Sequence, residues 1–460
     1  MITQLWTRCE SHQHRPALAS VASDRYASRR TVICRIAMPR LFYSLLLYLL
    51  VPLILLRLLY RAMRAPDYRR RVTERFGFFK PPAATDGLWV HAVSVGESIA
   101  AAPLIRHFLE KHPELPVVVS CMTPTGSERI RELFGDRVFH VYAPYDLPDA
   151  VSRFLNRIQP RAAVIMETEI WPNMVCQTSA RGIPVLLANA RLSERSARGY
   201  QRLSGLSRPV MRAMHRIVAQ GRADAERFAA LGVSPDALCV SGSIKFDVSI
   251  PDALRQQALA LREAMGTRPT WIAASTHDGE DGILLDAHRQ LLTQFPDGLL
   301  ILVPRHPERF DGVARQIEQA DLRYTRRSLE GTAARDSQVL LGDTMGELLL
   351  LLGTADIAFI GGSLIPRGGH NSLEAAAWGL PVLTGPSDFN FAEISRLLQD
   401  AGAQRIVDSA QSLFDALQRL FADAEQRQQQ GRHALSVVDA NRGALQTLIN
   451  EVEAALQQQS

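Results

Sequence analysis

The chain has 460 residues, of which 47% are hydrophobic and 22% charged. A composition of this kind predicts a folded protein of two or three domains, at roughly 150 residues per domain, and excludes disordered, collagen-like and disulfide-scaffold proteins. The five cysteines lie far apart and form no C-x-x-C pair, which argues against a zinc site and fits a reducing compartment.

The positive charge of the chain is concentrated at its N-terminus. Residues 1–80 carry a net charge of +11, whereas the remaining residues carry −6, giving +5 in total. Because the body of the chain is mildly acidic, a general nucleic-acid-binding surface is not expected.

Residues 1–37 show neither helical nor strand periodicity. Two explanations remain open: a short disordered extension, or a segment upstream of a translation start at Met38. In the second case the protein would begin directly before the apolar segment.

The apolar segment at residues 41–59, LFYSLLLYLLVPLILLRLL, predicts a membrane anchor helix, assigned with its flanks to residues 38–64. Its length approaches the ~20 residues that cross a hydrocarbon core. A shallow helix in one leaflet is the alternative, whereas a buried core helix of this length is rare. By the positive-inside rule, the arginines after the segment place the C-terminal body of the chain in the cytoplasm. These are Arg57, Arg61, Arg64, Arg69, Arg70, Arg71 and Arg75.

Beyond Asp86, short apolar runs alternate with amphipathic stretches. This alternation predicts an α/β fold with parallel sheets and right-handed crossovers, in two doubly wound domains at residues 65–250 and 251–460. The two domains are expected to face each other across a cleft, with ligands beyond the carboxyl ends of the strands. The predicted strands are Leu88–Ala92, Val117–Ser120, Ala162–Met166, Val185–Ala188, Ile217–Gln220, Trp271–Ser275, Leu299–Val303, Val339–Gly342, Asp356–Ile360 and Pro381–Gly385.

In the first domain, charged residues follow the predicted strands. Glu97, in Ser-Val-Gly-Glu, is a candidate general base, and its alternative role is to balance a helix dipole. Glu167 and Glu169 precede Trp171 at another strand end, which is unusual for a purely structural loop. Lys245, one of only three lysines, is a further candidate for the cleft.

A basic run lies between Ala190 and Arg216, with seven arginines and one glutamate. Arg195, Arg198 and Arg202 recur at i, i+3 and i+7 and therefore share one helix face. This face is either simply solvated or docks on an anionic membrane surface.

The second domain holds a glycine-rich motif, GGSLIPRGGHNSLE, at residues 361–374. Glycines and free N–H groups before a helix favour an anion, but the motif is neither Walker A nor a dinucleotide fingerprint. The alternative is a tight turn with Asn371 as N-cap and Glu374 in a capping box; Glu374 could instead bind ribose hydroxyls.

Two more loops of the second domain follow strands. Arg305 and His306 follow one strand, and Arg305 could pair with a phosphate. Met345, Gly346 and Glu347 follow another, where backbone amides could contact a base edge. The alternatives are a solvated loop and ordinary helix capping.

Metal and hydrolase sites are not predicted. The acidic residues around His277 are bunched at a helix start, without a second histidine at i+4, so we expect no metal and no cofactor. The chain also lacks a G-x-S-x-G elbow.

Taken in order, these motifs resemble the bacterial 3-deoxy-D-manno-octulosonic acid (Kdo) transferases of lipopolysaccharide and lipid A biosynthesis. The resemblance covers residues 38 onward, although Ala375 stands where that family has Pro. It implies a two-domain GT-B glycosyltransferase with a CMP-Kdo donor and a lipid A precursor, lipid IVA, as acceptor at the cytoplasmic face of the inner membrane.

The resemblance also implies residue roles. Glu97 would be the proton acceptor, with Glu167 and Lys245 stabilising the transition state. The CMP-binding residues would be Arg305, His306, Met345, Gly346, Glu347, Asn371, Ser372, Leu373 and Glu374. A sugar-nucleotide epimerase and a non-catalytic membrane scaffold remain as rival classes.

Overall fold

The computed structural model describes residues 38–64, 66–331 and 336–458, so the prediction for residues 1–37 lies outside the described residues. The chain forms two compact units. The first runs to Ile244 and resumes at Gly443, and the second comprises Lys245–Arg442.

The first unit contains a seven-stranded parallel sheet in the order β3-β2-β1-β4-β5-β6-β7. Its strands are β1 Leu88–His91, β2 Val117–Cys121, β3 Phe139–Tyr142, β4 Ala162–Met166, β5 Val185–Ala190, β6 Arg216–Ala219 and β7 Leu238–Val240. Its helices before the chain passes to the second unit are α1 Met38–Arg64, α2 Val95–Lys111, α3 Pro124–Phe134, α4 Pro148–Ile158, α5 Pro172–Ala180, α6 Glu194–Arg202, α7 Ser204–Ala213 and α8 Arg222–Ala230.

The second unit contains another seven-stranded parallel sheet, in the order β10-β11-β9-β8-β12-β13-β14. Its strands are β8 Thr270–Thr276, β9 Leu299–Pro304, β10 Tyr324–Arg326, β11 Val339–Leu341, β12 Ile357–Ile360, β13 Val382–Thr384 and β14 Gln404–Ile406. Its helices are α9 Asp252–Met265, α10 Asp281–Leu292, α11 Phe310–Gln319, α12 Arg327–Glu330, α13 Leu348–Leu352, α14 Leu373–Ala377, α15 Ala392–Asp400, α16 Ala410–Ala422 and α17 Ala424–Ala440.

Apolar clusters cover both faces of each sheet, which is why the interior strands read as continuous apolar runs. The strand order reverses between β1 and β4 in the first unit and between β8 and β12 in the second. In open α/β sheets, such reversal points open the crevice where ligands bind. Each unit therefore has one favoured site at the carboxyl ends of its strands.

The unit boundaries differ from the predicted domains. The division falls between Ile244 and Lys245 rather than after residue 250, and the last helix, α18 (Ala444–Gln457), returns to the first unit. Leu448, Ile449 and Val452 of α18 are buried in the apolar cluster that covers one face of the first sheet. Because this helix buries its apolar face there, the chain end belongs to the first unit and not to the second.

The apolar segment forms α1, which is 27 residues long and contains Pro52. Residues 38–63 are long and apolar enough to cross a membrane, with a mean hydropathy of 2.2. Most of their large apolar side chains are exposed, so α1 is not a core helix of the first unit.

Candidate active site

The first unit places Glu97 in the first turn of α2, directly after β1 and at the point where the strand order reverses. The Val93 backbone N–H donates to Glu97 Oε2 at 2.9 Å, and the Ser94 hydroxyl donates to Oε1 at 2.8 Å. Ser94 is also the N-cap of α2, since its Oγ accepts the Glu97 N–H. The helix start thus fixes the position of the carboxylate.

Glu97 is ionisable near neutral pH. Burial raises its pKa from 4.5 to about 7, against the lowering effect of the hydrogen bonds from Val93 and Ser94. The negative charges of Glu169 and Glu167 add to the rise. A carboxylate with a pKa near the working pH is what general base catalysis requires.

Glu167 and Glu169 follow β4, the strand next to β1, so the sheet brings these carboxylates to the same edge as Glu97. Glu167 adopts a left-handed conformation (φ 55°), which is uncommon for residues other than glycine and marks a strained turn. Trp171 Nε1 donates to Glu169 Oε2 at 2.8 Å and holds that carboxylate in place.

A buried hydrogen-bond chain lies behind Trp171. Trp89 Nε1 donates to Ser120 Oγ at 2.8 Å, and Ser120 Oγ lies 3.0 Å from His91 Nδ1. The His91 ring meets Trp171 edge to face, with centroids 5.4 Å apart. Sequence reasoning missed His91 and Ser120 because both lie inside strands that read as purely structural.

In the second unit, the reversal point is organised by a buried carboxylate that the sequence reading did not single out. Glu280 is fully buried and accepts hydrogen bonds from the backbone N–H groups of Gly362, Ser363 and Leu364, at 2.7, 3.0 and 3.0 Å. It also accepts from the His277 N–H at 2.9 Å. Because Glu280 already binds these three N–H groups, they are not free for an anion, and the expectation of an anion site in this motif stays with the turn that precedes α14.

Histidines cluster beside this loop. His277 Nε2 and His370 Nε2 are 2.8 Å apart, and their rings are nearly parallel, at 7°, with centroids 5.0 Å apart. Because the nitrogens are much closer than the centroids, the rings meet edge to edge through one hydrogen bond. His306 meets His277 at 5.4 Å.

The pKa values of both paired histidines are lowered, which favours their uncharged forms. Burial lowers the pKa of His277 and that of His370, the latter to about 4. The positive charge of Arg305 lowers both further. Arg305 is exposed and follows β9, so the pair lies beside a cation that could bind an anion.

The remaining loops of the second unit differ in their surroundings. Met345 is exposed, and Gly346 has a positive φ of 84°. Glu347 forms a bidentate pair with Arg327, at 2.7 and 3.0 Å. Because Arg327 already engages this carboxylate, the nearby backbone is better suited than the Glu347 side chain to contact a ligand.

The motif at residues 371–374 caps a short helix. α14 begins at Leu373, and its N-cap position is Ser372 rather than Asn371. Asn371 Oδ1 instead accepts the Leu373 N–H at 3.1 Å. Burial raises the pKa of Glu374, against the lowering effect of Arg305. The alternative of a tight turn at Asn371 therefore holds in part, because the Asn371 side chain accepts a backbone N–H of the first helical turn although the N-cap position is Ser372.

The other predicted residues are distributed over both units. Lys245 is half-buried and is the first residue of the second unit. Arg195, Arg198 and Arg202 are exposed on α6 in the first unit, and Arg198 makes only a 3.8 Å pair with Glu194. Among the described residues, no group of three or more His, Cys, Asp or Glu side chains could hold a metal ion.

Comparison with known proteins agrees with this architecture. A glycosyltransferase structure from Rickettsia africae is 12% identical, has a TM-score of 0.50, and matches over 82% of this chain and 99% of its own length. Two parallel α/β units, each with a reversal of strand order, together with this likeness define the GT-B fold.

Sequence similarity defines the family within that class. Residues 70–248 match the family model described as 3-deoxy-D-manno-octulosonic-acid transferase (kdotransferase). The 3-deoxy-D-manno-octulosonic acid transferase of Haemophilus influenzae is 44% identical over 89% of this chain and 97% of its own length. That of Bordetella pertussis is 37% identical over 90% and 99%. The chain belongs to the Kdo transferase family.

Proposed function

We propose that this enzyme transfers Kdo from CMP-Kdo to the lipid A precursor lipid IVA at the cytoplasmic face of the inner membrane. The observation that carries the proposal is Glu97, a positioned carboxylate with a pKa of about 7 at the reversal point of the first unit. The membership of the chain in the Kdo transferase family supports Kdo as the transferred sugar.

Glu97 acts as general base. It takes the proton from an acceptor hydroxyl while the hydroxyl oxygen forms a bond to the anomeric carbon of Kdo, and the bond from that carbon to the CMP phosphate breaks. The transition state resembles an oxocarbenium ion, which nearby negative charge stabilises. Glu167 supplies that charge, and Lys245 neutralises the donor carboxylate or the departing phosphate.

The second unit binds the donor. Arg305 is exposed and cationic, which suits the phosphate of CMP. His306 lies beside it, and the turn at residues 371–374 together with residues 345–347 contacts the nucleoside. CMP leaves as a monophosphate, so we expect arginine and backbone groups to stabilise it without a metal ion.

The first unit meets the membrane. α1 serves as the anchor, and the exposed Arg195, Arg198 and Arg202 face anionic lipids and the phosphates of the acceptor. Each arginine near an anionic surface contributes about 1 kcal/mol, and this contribution weakens with salt.

We therefore predict that replacing Arg195, Arg198 and Arg202 together by Gln raises the apparent KM for the acceptor and flattens its salt dependence. The affinity for CMP-Kdo is expected to stay unchanged. A matched control replaces three other exposed arginines of the same unit, Arg106, Arg131 and Arg137, by Gln. Unaltered acceptor kinetics together with weaker donor binding would contradict this docking surface.

Release of free CMP tests the proposed reaction. The purified protein is incubated with CMP-Kdo, with and without lipid IVA in detergent micelles, and CMP is quantified by chromatography. We expect acceptor-dependent release. Release of equal size without the acceptor would indicate a hydrolase, and no release in either case would refute Kdo transfer from CMP-Kdo.

A further inference from the structure

We infer that α1 does not cross the bilayer but lies in the plane of an anionic membrane, with one stripe on the first unit, its exposed apolar face in lipid, and its arginines and two ends at the level of the headgroups. The inference rests on the proposed anchor role of α1 and specifies how that anchor is held. It follows from where the chain attaches to the folded unit before and after the apolar stretch.

The N-terminal third of α1 is fixed to the first unit by polar contacts. The Tyr43 hydroxyl donates to Asp146 Oδ2 at 2.9 Å, and Ser44 Oγ accepts from Asn173 Nδ2 at 3.1 Å. Asp146 is itself buried and accepts the N–H groups of Asn173 and Met174 at the start of α5. These side chains belong to a built protein interface and not to a lipid-facing helix surface.

Two further contacts extend this attachment. The Tyr48 hydroxyl donates to Asp149 Oδ1 at 2.5 Å. A β-carbon added to Gly205, in α7, would lie 3.2 Å from Pro39 Cγ and 3.9 Å from Pro39 Cβ. The helix thus contacts the unit from its second residue to Tyr48.

The chain returns to the same unit directly after the helix. Arg75 is 3% exposed, and its guanidinium donates to the Met122 carbonyl at 2.9 Å. Arg71 donates to the His140 carbonyl at 2.8 Å. The Arg75 carbonyl accepts the N–H of Tyr145, the residue next to the Asp146 that binds Tyr43. Both ends of the apolar helix are therefore tied to one folded body.

Chain length excludes a spanning arrangement with these contacts. From Tyr43 to Arg64 the helix rises ~32 Å, at 1.5 Å per residue, which is about the thickness of the hydrocarbon core. A helix directed across the bilayer from Tyr43 would leave Arg64 at the far side. The seven residues to Arg71 reach at most ~25 Å and would have to return through lipid with unsatisfied backbone groups.

The surface of α1 fits an interfacial position. Its half-buried or buried positions form one stripe, at Arg40, Tyr43, Ser44, Leu47, Val51, Ile54, Leu58 and Ala62. Most of the remaining surface is apolar and exposed, as at Leu49 and Leu56, which are 70% and 63% exposed. An apolar face of this kind inserts at the boundary between headgroups and acyl chains.

The occupant of this surface is an anionic bilayer because exposed arginines flank the apolar face. These are Arg57, Arg61, Arg69 and Arg70. A spanning helix that kept Tyr43 on the cytoplasmic body would put Arg57 and Arg61 toward the opposite side, against the positive-inside rule. An in-plane helix keeps all four beside one layer of anionic headgroups.

A disulfide tests the docked arrangement directly. Pro39→Cys and Gly205→Cys would place two β-carbons close to 3.9 Å apart, within the range for a disulfide. The matched control pairs Gly205→Cys with Leu41→Cys, which is exposed and lies about 200° around the helix from Pro39. Cys9 and Cys34 are replaced by Ser in all variants, while Cys121, Cys176 and Cys239 are buried. In membranes treated with mild oxidant, we expect a mobility shift, reversed by reductant, for the first pair only.

Sidedness gives a second measurement that does not depend on disulfide formation. Met38→Cys and Met63→Cys lie at the two ends of the exposed helix, and Lys111→Cys marks the folded body. The label is a membrane-impermeant maleimide, applied to spheroplasts and to inverted cytoplasmic-membrane vesicles of a bacterial host. All three positions should react in inverted vesicles and none in intact spheroplasts.

The outcomes separate the inference from the anchor proposal. Labelling of Met38→Cys or Met63→Cys from outside spheroplasts, in membrane-bound protein, would overturn the in-plane helix and leave the anchor intact. Recovery of the protein in the soluble fraction, without membrane association, would refute both. Neither result would bear on CMP release.

Discussion

Replacing Glu97 by Gln tests the assignment of the general base. The amide keeps the shape of the carboxyl group but removes the basic oxygen, so we expect kcat to fall ~10²–10⁴-fold, the usual contribution of a positioned base. CMP-Kdo binding should be unchanged, because the donor is assigned to the second unit. Measured CMP release at saturating acceptor gives the rate, and calorimetric titration gives donor affinity.

The pH profile makes this test sharper. Because the pKa of Glu97 is about 7, kcat/KM of the unmodified enzyme should rise with pH and level off above that value. The residual activity of the Glu97→Gln variant should not show this rise with pH. A variant with near-normal turnover and the same rise of kcat/KM with pH would show that Glu97 serves only to cap α2.

The same substitution should increase stability. The pKa of Glu97 is higher in the folded enzyme than the reference value of 4.5, so the folded state binds more protons between pH 4.5 and about 7. Its stabilising contribution is present below that range and is lost as pH rises through it. The span corresponds to at most about 3 kcal/mol. The melting temperature of the Glu97→Gln variant should rise relative to that of the unmodified enzyme from pH 5 to pH 8. A difference in melting temperature that does not change with pH would refute the raised pKa.

Two further substitutions have matched controls. Ser94→Ala removes a hydrogen-bond donor to the ionised Glu97 carboxylate, so the rise of kcat/KM with pH should move up by about one pH unit. Ser193→Ala also removes a helix N-cap and should cost about 1 kcal/mol of stability, but it should leave the pH dependence of kcat/KM unchanged. An unchanged pH dependence for Ser94→Ala would contradict its hydrogen bond to Glu97. Gly385→Ala would place a β-carbon 2.2 Å from the Ser363 carbonyl group and should destabilise the folded protein by about 1–3 kcal/mol. Gly282 lies in α10 with open space around it, so Gly282→Ala should stabilise the folded protein by about 0.5–1 kcal/mol. Equal melting temperatures for the two glycine variants would refute this packing.

The sequence predicts the interior of both sheets but not their edges. Each of the ten predicted strands corresponds to an observed strand, while β3, β7, β10 and β14 were missed. These four are the outermost strands of the two sheets and have three or four residues each. An edge strand packs against one neighbour only, so it needs no continuous apolar run and gives little signal in a sequence.

The candidate site, too, can be predicted from the sequence only in part. Glu97 and Glu167 are recognisable because they directly follow apolar strands that end at a common sheet edge. Glu280 could not be recognised, since the N–H groups that it binds at Gly362, Ser363 and Leu364 lie about 80 residues along the chain. Its role depends on two loops being brought together at the reversal of strand order, which only the folded sheet determines.

The mass of the reaction product shows directly whether the enzyme transfers Kdo to the lipid. Purified enzyme is incubated with CMP-Kdo and lipid IVA, and the lipid fraction is analysed by mass spectrometry, with Glu97→Gln as the inactive control. We expect lipid IVA carrying one or more Kdo residues with the unmodified enzyme, and little or none with the variant. Unmodified lipid IVA in the presence of active, CMP-releasing enzyme would contradict it.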